Sequence, residues 1–431
     1  MYFQRNESGL SWAGTELNSL LPQIRQHLIK HYDYQGPFYA YHGAVIEARC
    51  KSLQEKLPNA FFYYSLKSLS NIHIIKKILS FDRFGLDIVS LGELERALLA
   101  GGKPEKIVFA GVAKTKTEIL SAIKAGIRSF HVESVAELRS LQELAASVGA
   151  KAGVALRMNP DVEVDTHKYI TTGKEENKFG ISRAELPEIL HCLREGKNLQ
   201  LKGLQAHIGS QILDPVPYAK SLAVLNEIAQ ALRKENFPHL EYISLGGGFG
   251  VDYKSMYSEL PVNQFSLDEL HKILSQCSFE SNELHFEPGR YISAMSGVLV
   301  SKVRHIKPKS NYDIALIDAG MTELLRPALY GAVHPITTLH ALSEYDLNRL
   351  QTYEIAGPIC ESSDVFARGV QLPLLKEDDD VLILHAGAYG SVMASNYNTR
   401  PLAPEVLIQN DSFQVIRRPQ TYKEILASEM I

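Results

Sequence analysis

The chain has 431 residues, a formal net charge of -4, 45% hydrophobic and 22% charged residues, the balance of a globular protein and not of a disordered one. The mild negative charge excludes an overall basic field for nucleic acid or anionic lipid, so small molecules are the expected partners and any anion must be attracted locally. No run approaches the roughly 18 apolar residues of a membrane span, and Met1-Tyr2-Phe3-Gln4-Arg5-Asn6 lacks the apolar core of a signal peptide, which points to the cytoplasm.

The first residues hold one short helical pattern, Leu17 to His27, and end at the break Gln35-Gly36-Pro37. Phe38-Tyr39-Ala40-Tyr41 then leads into a helix near residues 43 to 56. Eight strand candidates follow: Ala60 to Leu66, Arg83 to Val89, Lys106 to Ala110, Arg128 to Val132, Gly153 to Met158, Leu201 to His207, Tyr242 to Leu245 and Leu284 to Glu287. Helical patterns such as Ser90 to Ala100 and Ser134 to Ala146 separate nearly all of them. Eight such units predict a (β/α)8 TIM barrel over residues 38–290.

Beyond Arg290 the rhythm changes to short strands with turn signals, at Val298 to Val303, Ile314 to Ile317, Thr352 to Ile355, Val381 to Leu384 and Phe413 to Ile416. The expected fold class is therefore α/β plus β, with residues 1–37 and 291–431 forming a second, β-rich domain. No low-complexity linker divides the halves, so any site is expected at their junction. Cys50, Cys192, Cys277 and Cys360 are scattered without a CxxC or Cys/His cluster, so neither a metal nor a disulfide is expected, and most read as buried thiols.

The chemistry-bearing residues gather at the ends of the candidate strands, where barrels of this kind carry their active sites. Lys67 follows the first, in Tyr64-Ser65-Leu66-Lys67; alone it reads as a solvent-facing strand cap. Asp87 lies near the end of the second, Glu133 follows the fourth, Arg157 and Asn159 flank the fifth and His207 ends the sixth. Gly246-Gly247-Gly248-Phe249-Gly250 follows the seventh, and Glu287-Pro288-Gly289-Arg290 closes the eighth. A glycine turn exposes backbone N–H groups to an anion, and Arg290 adds a guanidinium. The nucleotide P-loop pattern is absent, so the anion reads as the phosphate of a cofactor. A lysine, a phosphate cradle, a carboxylate and a histidine at one barrel mouth suggest pyridoxal 5'-phosphate, with Glu287 holding the ring nitrogen protonated and His207 placed to stack on the ring.

From about Phe38 to Ile408 the sequence resembles the fold-type III pyridoxal-phosphate decarboxylases, and among them the diaminopimelate decarboxylase family. Tyr64 to Lys67, His207-Ile208-Gly209-Ser210-Gln211, Gly246 to Gly250 and Glu287 to Arg290 resemble the shared cofactor motifs. Asn159-Pro160-Asp161, Thr166-His167, Tyr169 to Gly173, Glu176 to Gly180, Asp318 to Met321, Arg326-Pro327-Ala328-Leu329-Tyr330, Cys360-Glu361-Ser362-Ser363-Asp364, Gly387 to Gly390 and Ser395 to Asn398 resemble the narrower family. The chain departs from many relatives at Ser68-Leu69-Ser70-Asn71 after the lysine and at Val333, where an aromatic is common.

The resemblance implies decarboxylation of meso-2,6-diaminopimelate to L-lysine in lysine biosynthesis. It implies Lys67 as the aldimine lysine, His207 as the ring-stacking residue and Glu287 as the pyridinium partner. Cofactor contacts fall to Asp87, Ser210, Gly247, Gly248, Gly289, Arg290 and Tyr389. Substrate contacts fall to Arg290, Arg326, Tyr330, Glu361 and Tyr389, and Cys360 is the proton donor to the carbanion. A homodimer with active sites shared across the interface is also implied. Two other readings stay open: a sister decarboxylase acting on ornithine, arginine, a carboxylated polyamine or a secondary-pathway amino acid, and an inactive regulator that keeps the fold. The presence of both Lys67 and Cys360 speaks against the regulator, and the context Gly357-Pro358-Ile359-Cys360-Glu361 against a racemase.

Overall fold

The computed structural model describes residues 2–162, 180–255, 264–345 and 349–430. The motif residues Thr166, His167, Tyr169 to Gly173 and Glu176 to Phe179 lie outside the described residues. The chain divides into two units, the described residues of Arg49–Val251 with Asn263–Tyr291, and those of Met1–Ala48, Asp252–Val262 and Ile292–Ile431.

In the first unit eight parallel strands close into a barrel in chain order: Ala60–Ser65, Phe84–Ile88, Ile107–Phe109, Ser129–Val132, Ala152–Arg157, Leu199–Gln205, Leu240–Ser244 and Ser281–Phe286. These are the eight strands expected from the sequence, and the last closes on the first through Phe286 against Phe62. Alternation along the strands sorts their side chains into two faces. Phe62 stacks on Phe84 at 5.2 Å and lies 6.4 Å from Phe286. One residue later Tyr63 meets His285 at 4.8 Å, and His285 stacks on Tyr242 at 4.3 Å. Ser129 Oγ and the Tyr242 hydroxyl, from strands that are not neighbours, approach to 2.6 Å, so this second face lines the barrel interior.

The helices that follow the first four strands each begin behind a capping side chain. Asn71, Ser90, Thr115 and Ser134 each accept a backbone N–H of the helix that follows. This punctuation pins the strand ends and with them the residues that carry the chemistry.

In the second unit a nine-stranded sheet of described residues is built on the long strand Gly297–Pro308. That strand pairs antiparallel with Asp313–Ile317, Asp380–Ile383 and Phe38–His42. Phe38–His42, grouped with the barrel on its sequence pattern, is thus a strand of this sheet, buried at all five residues and parallel to Glu405–Gln409 on its other side. A short apolar run carries no mark of the sheet it will join. Strands Ile336–Thr338, Val365–Leu372 and Glu405–Gln409, and the three-stranded sheet of Phe3–Asn6, Gly9–Trp12 and Thr15–Glu16, were not expected from the sequence. Val365–Leu372 is an edge strand whose pattern is interrupted by Arg368-Gly369, which hides the alternation. Among the described residues no helix is long and apolar enough to cross a membrane.

Candidate active site

The first barrel strand ends at Ser65, and a single tight turn, Leu66–Ser68, carries Lys67 beyond it. The Ser68 hydroxyl ties that turn down by donating to the Ser65 carbonyl at 2.9 Å. Lys67 Nζ lies 3.4 Å from Oδ2 of Asp87 at the end of the second strand, and Ser65 Oγ donates to the same oxygen at 2.6 Å. Asp87 is fully buried, and its Oδ1 has no hydrogen-bond partner among the described residues. Burial pushes this carboxyl above the usual carboxylate range, while the Lys67 charge opposes the rise.

Glu287 stands just past the eighth strand, beside the first, and is held from two sides. Ser244 Oγ donates to its Oε1 at 2.6 Å and Gln205 Nε2 to its Oε2 at 3.0 Å. Burial raises its pKa, against the hydrogen bonds and the Lys67 charge. His207 follows the sixth strand, and its Nδ1 accepts the Gly247 N–H at 3.2 Å, so a neutral ring carries its proton on Nε2. Burial, with Lys67 and Arg157 near, keeps His207 well below the usual histidine range. Arg157 itself pairs with Glu133 at 2.6 Å, both buried, so Glu133 is bound to a guanidinium and does more than start a helix.

The turn after the seventh strand must be glycine for want of space and for its backbone angles. A Cβ at Gly247 would lie 2.1 Å from the Glu287 carbonyl oxygen; at Gly248, with φ +104°, it would lie 2.4 Å from the Gly209 carbonyl oxygen. Next to Gly209, Ser210 Oγ accepts from Arg290 Nη2 at 3.0 Å. A Cβ at Gly289 would lie 3.0 Å from Ser68 Cβ, which places that glycine against the lysine turn. The donor set fits pyridoxal phosphate: an amine on a tight turn, a clamped buried carboxylate, a neutral imidazole, and a side-chain-free cradle beside a hydroxyl and a guanidinium.

The barrel unit therefore gathers Lys67, Asp87, His207, Ser210, Gly247, Gly248, Glu287, Gly289 and Arg290 at its strand ends. The other expected residues belong to the β-rich unit. Buried Arg326 donates through Nη1 to His334 Nε2 at 2.8 Å, His334 Nδ1 donates to the Leu384 carbonyl at 3.0 Å, and the guanidinium lies 4.6 Å from the Tyr253 ring centre. Tyr330 is half-buried at the end of the short helix Arg326–Tyr330, and Tyr389 is half-buried with φ 56°. Cys360 is exposed, so the expectation of mostly buried thiols is corrected: among the four cysteines only Cys50 is buried. The thiol sits on a loop whose polar flanks hold it at the surface. The Cys360 N–H donates to Asn398 Oδ1 at 3.2 Å, and the Tyr397 hydroxyl donates to Glu361 Oε1 at 2.6 Å.

Sequence reasoning missed the residues that hold these groups in place. Ser244 and Gln205 clamp Glu287, and His334 orients Arg326. Asp364 accepts the Met321 N–H at 2.6 Å and the Ile359 N–H at 2.7 Å, fixing the loop that bears Cys360. Strand alternation was the available signal for Gln205 and Ser244, each two residues before a position already singled out, His207 and Gly246.

The chain matches the model of the pyridoxal-dependent decarboxylase, pyridoxal binding domain, over residues 43–294. It is 39% identical over 399 residues to diaminopimelate decarboxylase of Pseudomonas fluorescens, covering 92% of this chain and 93% of that one. The crystal structure of diaminopimelate decarboxylase from M. jannaschii in complex with L-lysine superposes with a TM-score of 0.88 at 30% identity, covering 100% of this chain and 98% of that one. The Helicobacter pylori enzyme complexed with L-lysine gives a TM-score of 0.84 at 34% identity, covering 94% and 98%. With the lysine turn, the clamped glutamate and the glycine cradle all in place on a closed barrel, the chain belongs to the diaminopimelate decarboxylase family of pyridoxal-dependent decarboxylases.

Proposed function

We propose that this protein removes CO2 from meso-2,6-diaminopimelate to leave L-lysine, as a step of lysine biosynthesis in the cytoplasm. The observation that carries the reading is the placing of Lys67 and of the clamped carboxylate of Glu287 just past the ends of adjoining barrel strands. The relatives named above act on, or bind, molecules at the two ends of this reaction.

Pyridoxal phosphate, when bound, supplies an electron-poor ring that takes up the electron pair freed as CO2 departs. Lys67 is the amine that holds the cofactor, and Asp87 sets the position and charge of that amine. Glu287 keeps a proton on the ring nitrogen, and neutral His207 packs against the ring without adding a charge that would compete with it. Ser210, Gly247, Gly248, Gly289 and Arg290 hold the phosphate. Arg326, Tyr330 and Glu361 grip the distal amino-acid end of the substrate, a guanidinium being suited to a planar carboxylate. Arg290 and Tyr389 touch cofactor and substrate. Cys360 returns a proton to the carbon that lost CO2. The protein works as a homodimer, each Cys360 loop entering the partner's site, which accounts for an exposed thiol and glutamate on an anchored loop.

The test is CO2 and lysine formation from meso-2,6-diaminopimelate by the purified protein with pyridoxal phosphate. Turnover of ornithine, arginine or a carboxylated polyamine in its place would move the assignment to a sister decarboxylase. Mixing inactive Lys67→Ala with slow Cys360→Ala protein tests sharing: activity rises above that of Cys360→Ala alone only if sites combine residues of two chains.

A further inference from the structure

Behind Glu287 the polar face of the barrel continues inward. His131, on the fourth strand, is buried at 1% exposure, and its Nδ1 lies 3.6 Å from Glu287 Oε1. That nitrogen has no hydrogen-bond partner among the described residues. The other ring nitrogen, Nε2, lies 3.3 Å from the Tyr242 hydroxyl, which is itself 2.6 Å from Ser129 Oγ.

Two proton arrangements satisfy these contacts. In one, Ser129 donates to Tyr242, Tyr242 donates to Nε2, and Nδ1 carries a hydrogen toward Glu287. In the other the donors reverse, and Nδ1 turns a lone pair on Glu287. Two acceptors then face each other in a dry interior unless the carboxyl is protonated. Glu287 already accepts from Ser244 and Gln205, as a carboxylate does, so the first arrangement is the compatible one. Asp87, Lys114, Arg157 and His285 also act on the ring, and Lys114 Nζ donates to the His131 carbonyl at 3.0 Å. Burial, with Lys114 and Arg157 outweighed only in part by Asp87, lowers His131 to about 3, so the ring stays neutral and holds a single proton.

We propose that His131 is a positioning residue for Glu287: fixed by Tyr242 as the Nδ1–H tautomer, it is the third donor that keeps the Glu287 carboxylate ionised and aimed at the ring nitrogen of bound pyridoxal phosphate. The inference rests on Glu287 being the partner of that nitrogen. Burial alone drives a carboxyl toward its neutral form, which cannot hold a pyridinium proton by charge. Each donor aimed at the carboxylate works against that drift.

The experiment compares apoenzyme affinity for pyridoxal phosphate with that for 1-deazapyridoxal phosphate, which has carbon in place of the ring nitrogen. His131→Phe is expected to weaken pyridoxal phosphate binding about tenfold and to leave the deaza analogue within about twofold. His131→Asn, whose amide N–H occupies the place of the Nδ1 donor, is expected to restore most of the loss. Equal losses on both compounds, or no loss on either, overturn the proposal. Glu287→Gln separates the two assignments. If it also fails to discriminate the compounds, the role of Glu287 falls; if it discriminates and His131→Phe does not, only the role of His131 falls. A measurement on the unaltered protein guards against misfolding of the Phe variant. The 15N signals of His131, identified by their loss in His131→Asn, are expected to show a protonated Nδ1 from about pH 6 to 8, and an Nε2–H ring overturns the proposal.

Discussion

Replacing Asp364 by asparagine tests whether the Cys360 loop has to be held rigid. The carboxylate is buried at 4% exposure and bridges two chain segments, accepting the Met321 N–H on Oδ1 and the Ile359 N–H on Oδ2. Its own carbonyl accepts the Gly357 N–H at 3.0 Å, closing the loop around Cys360. An asparagine keeps one acceptor and turns its amide toward the other backbone donor. Stranding one buried N–H costs about 1–3 kcal/mol, and the surviving bond loses its charge assistance, about 1 kcal/mol. Part of this is offset, because burial pushes Asp364 above the usual carboxylate range and so makes the native charge costly. A net loss of about 2 kcal/mol is expected, seen as a fall in Tm of about 4–8 °C for a unit of this size.

The functional readout follows from the loop. Ile359 immediately precedes Cys360, so a loosened Ile359 spreads the positions of the thiol, and a tenfold fall in kcat corresponds to about 1.4 kcal/mol. Affinity for pyridoxal phosphate is expected to stay within about twofold, since the proposed cofactor contacts other than Tyr389 belong to the barrel unit. Gly357→Ala reaches the same loop by another route, because an added Cβ would lie 2.3 Å from Asp364 Oδ2. Thermal melts, CO2-release kinetics and cofactor titration check the set. An unchanged Tm and kcat in Asp364→Asn would refute the reasoning, and cofactor affinity falling in step with kcat would place the defect elsewhere.

Cys360→Ala is expected to slow turnover by about 100-fold, the scale of a lost proton donor, with cofactor affinity unchanged; full activity would require another donor. Ser244→Ala removes the hydroxyl donor to Glu287 Oε1 and is expected to weaken pyridoxal phosphate binding about tenfold, read by absorbance titration. Glu93, half-buried and accepting the Val89 N–H at 2.8 Å, is raised to about 7, chiefly by desolvation. Its folded form therefore holds a proton that the unfolded chain releases above the ordinary glutamate range. Stability from this group is full at low pH and is lost as pH rises toward about 7, a decline that Glu93→Gln should flatten in Tm measured from about pH 4 to 8. An unchanged decline in the variant would assign it to other groups.

The barrel was legible because it is written in local signals. Each strand is a short run rich in apolar residues, and capping side chains such as Ser90 and Ser134 mark where the helices begin. The positions of Lys67, Asp87 and Glu287, for which cofactor roles are proposed, were legible for a related reason, since each stands at a strand end and so at a predictable place on the barrel. The β-rich unit was less legible. Phe38–His42 joins a sheet whose other strands come from more than 250 residues later in the chain, a pairing that no window of sequence displays. The roles of Asp364, quoted only as the last residue of the Cys360 motif, and of His334 were missed because their work is hydrogen bonding to backbone and to another side chain, and neither partner is marked by spacing.

The interior of the barrel shows how the remaining positions could have been read. Counting back by twos from the strand-end residues gives Tyr63 and Ser65, Gly85 and Asp87, Ser129 and His131, Gly203 and Gln205, Tyr242 and Ser244, and His285 and Glu287. This inward set is polar, with glycine placed where a neighbour is large: a Cβ at Gly203 would lie 2.9 Å from the Tyr242 ring. Glycine in a strand is otherwise a weak choice, so its presence there argues for a bulky partner leaning across it. That space lets Tyr242 reach both Ser129 and His131 from a strand that is not their neighbour. A polar interior is stable only when its groups are matched, so the inward face should tolerate less substitution than the outward apolar one. The clamp on Glu287 is then the upper end of a column that begins at the opposite pole with Arg128, bound to Tyr63 at 2.9 Å and to Glu283 at 2.7 Å.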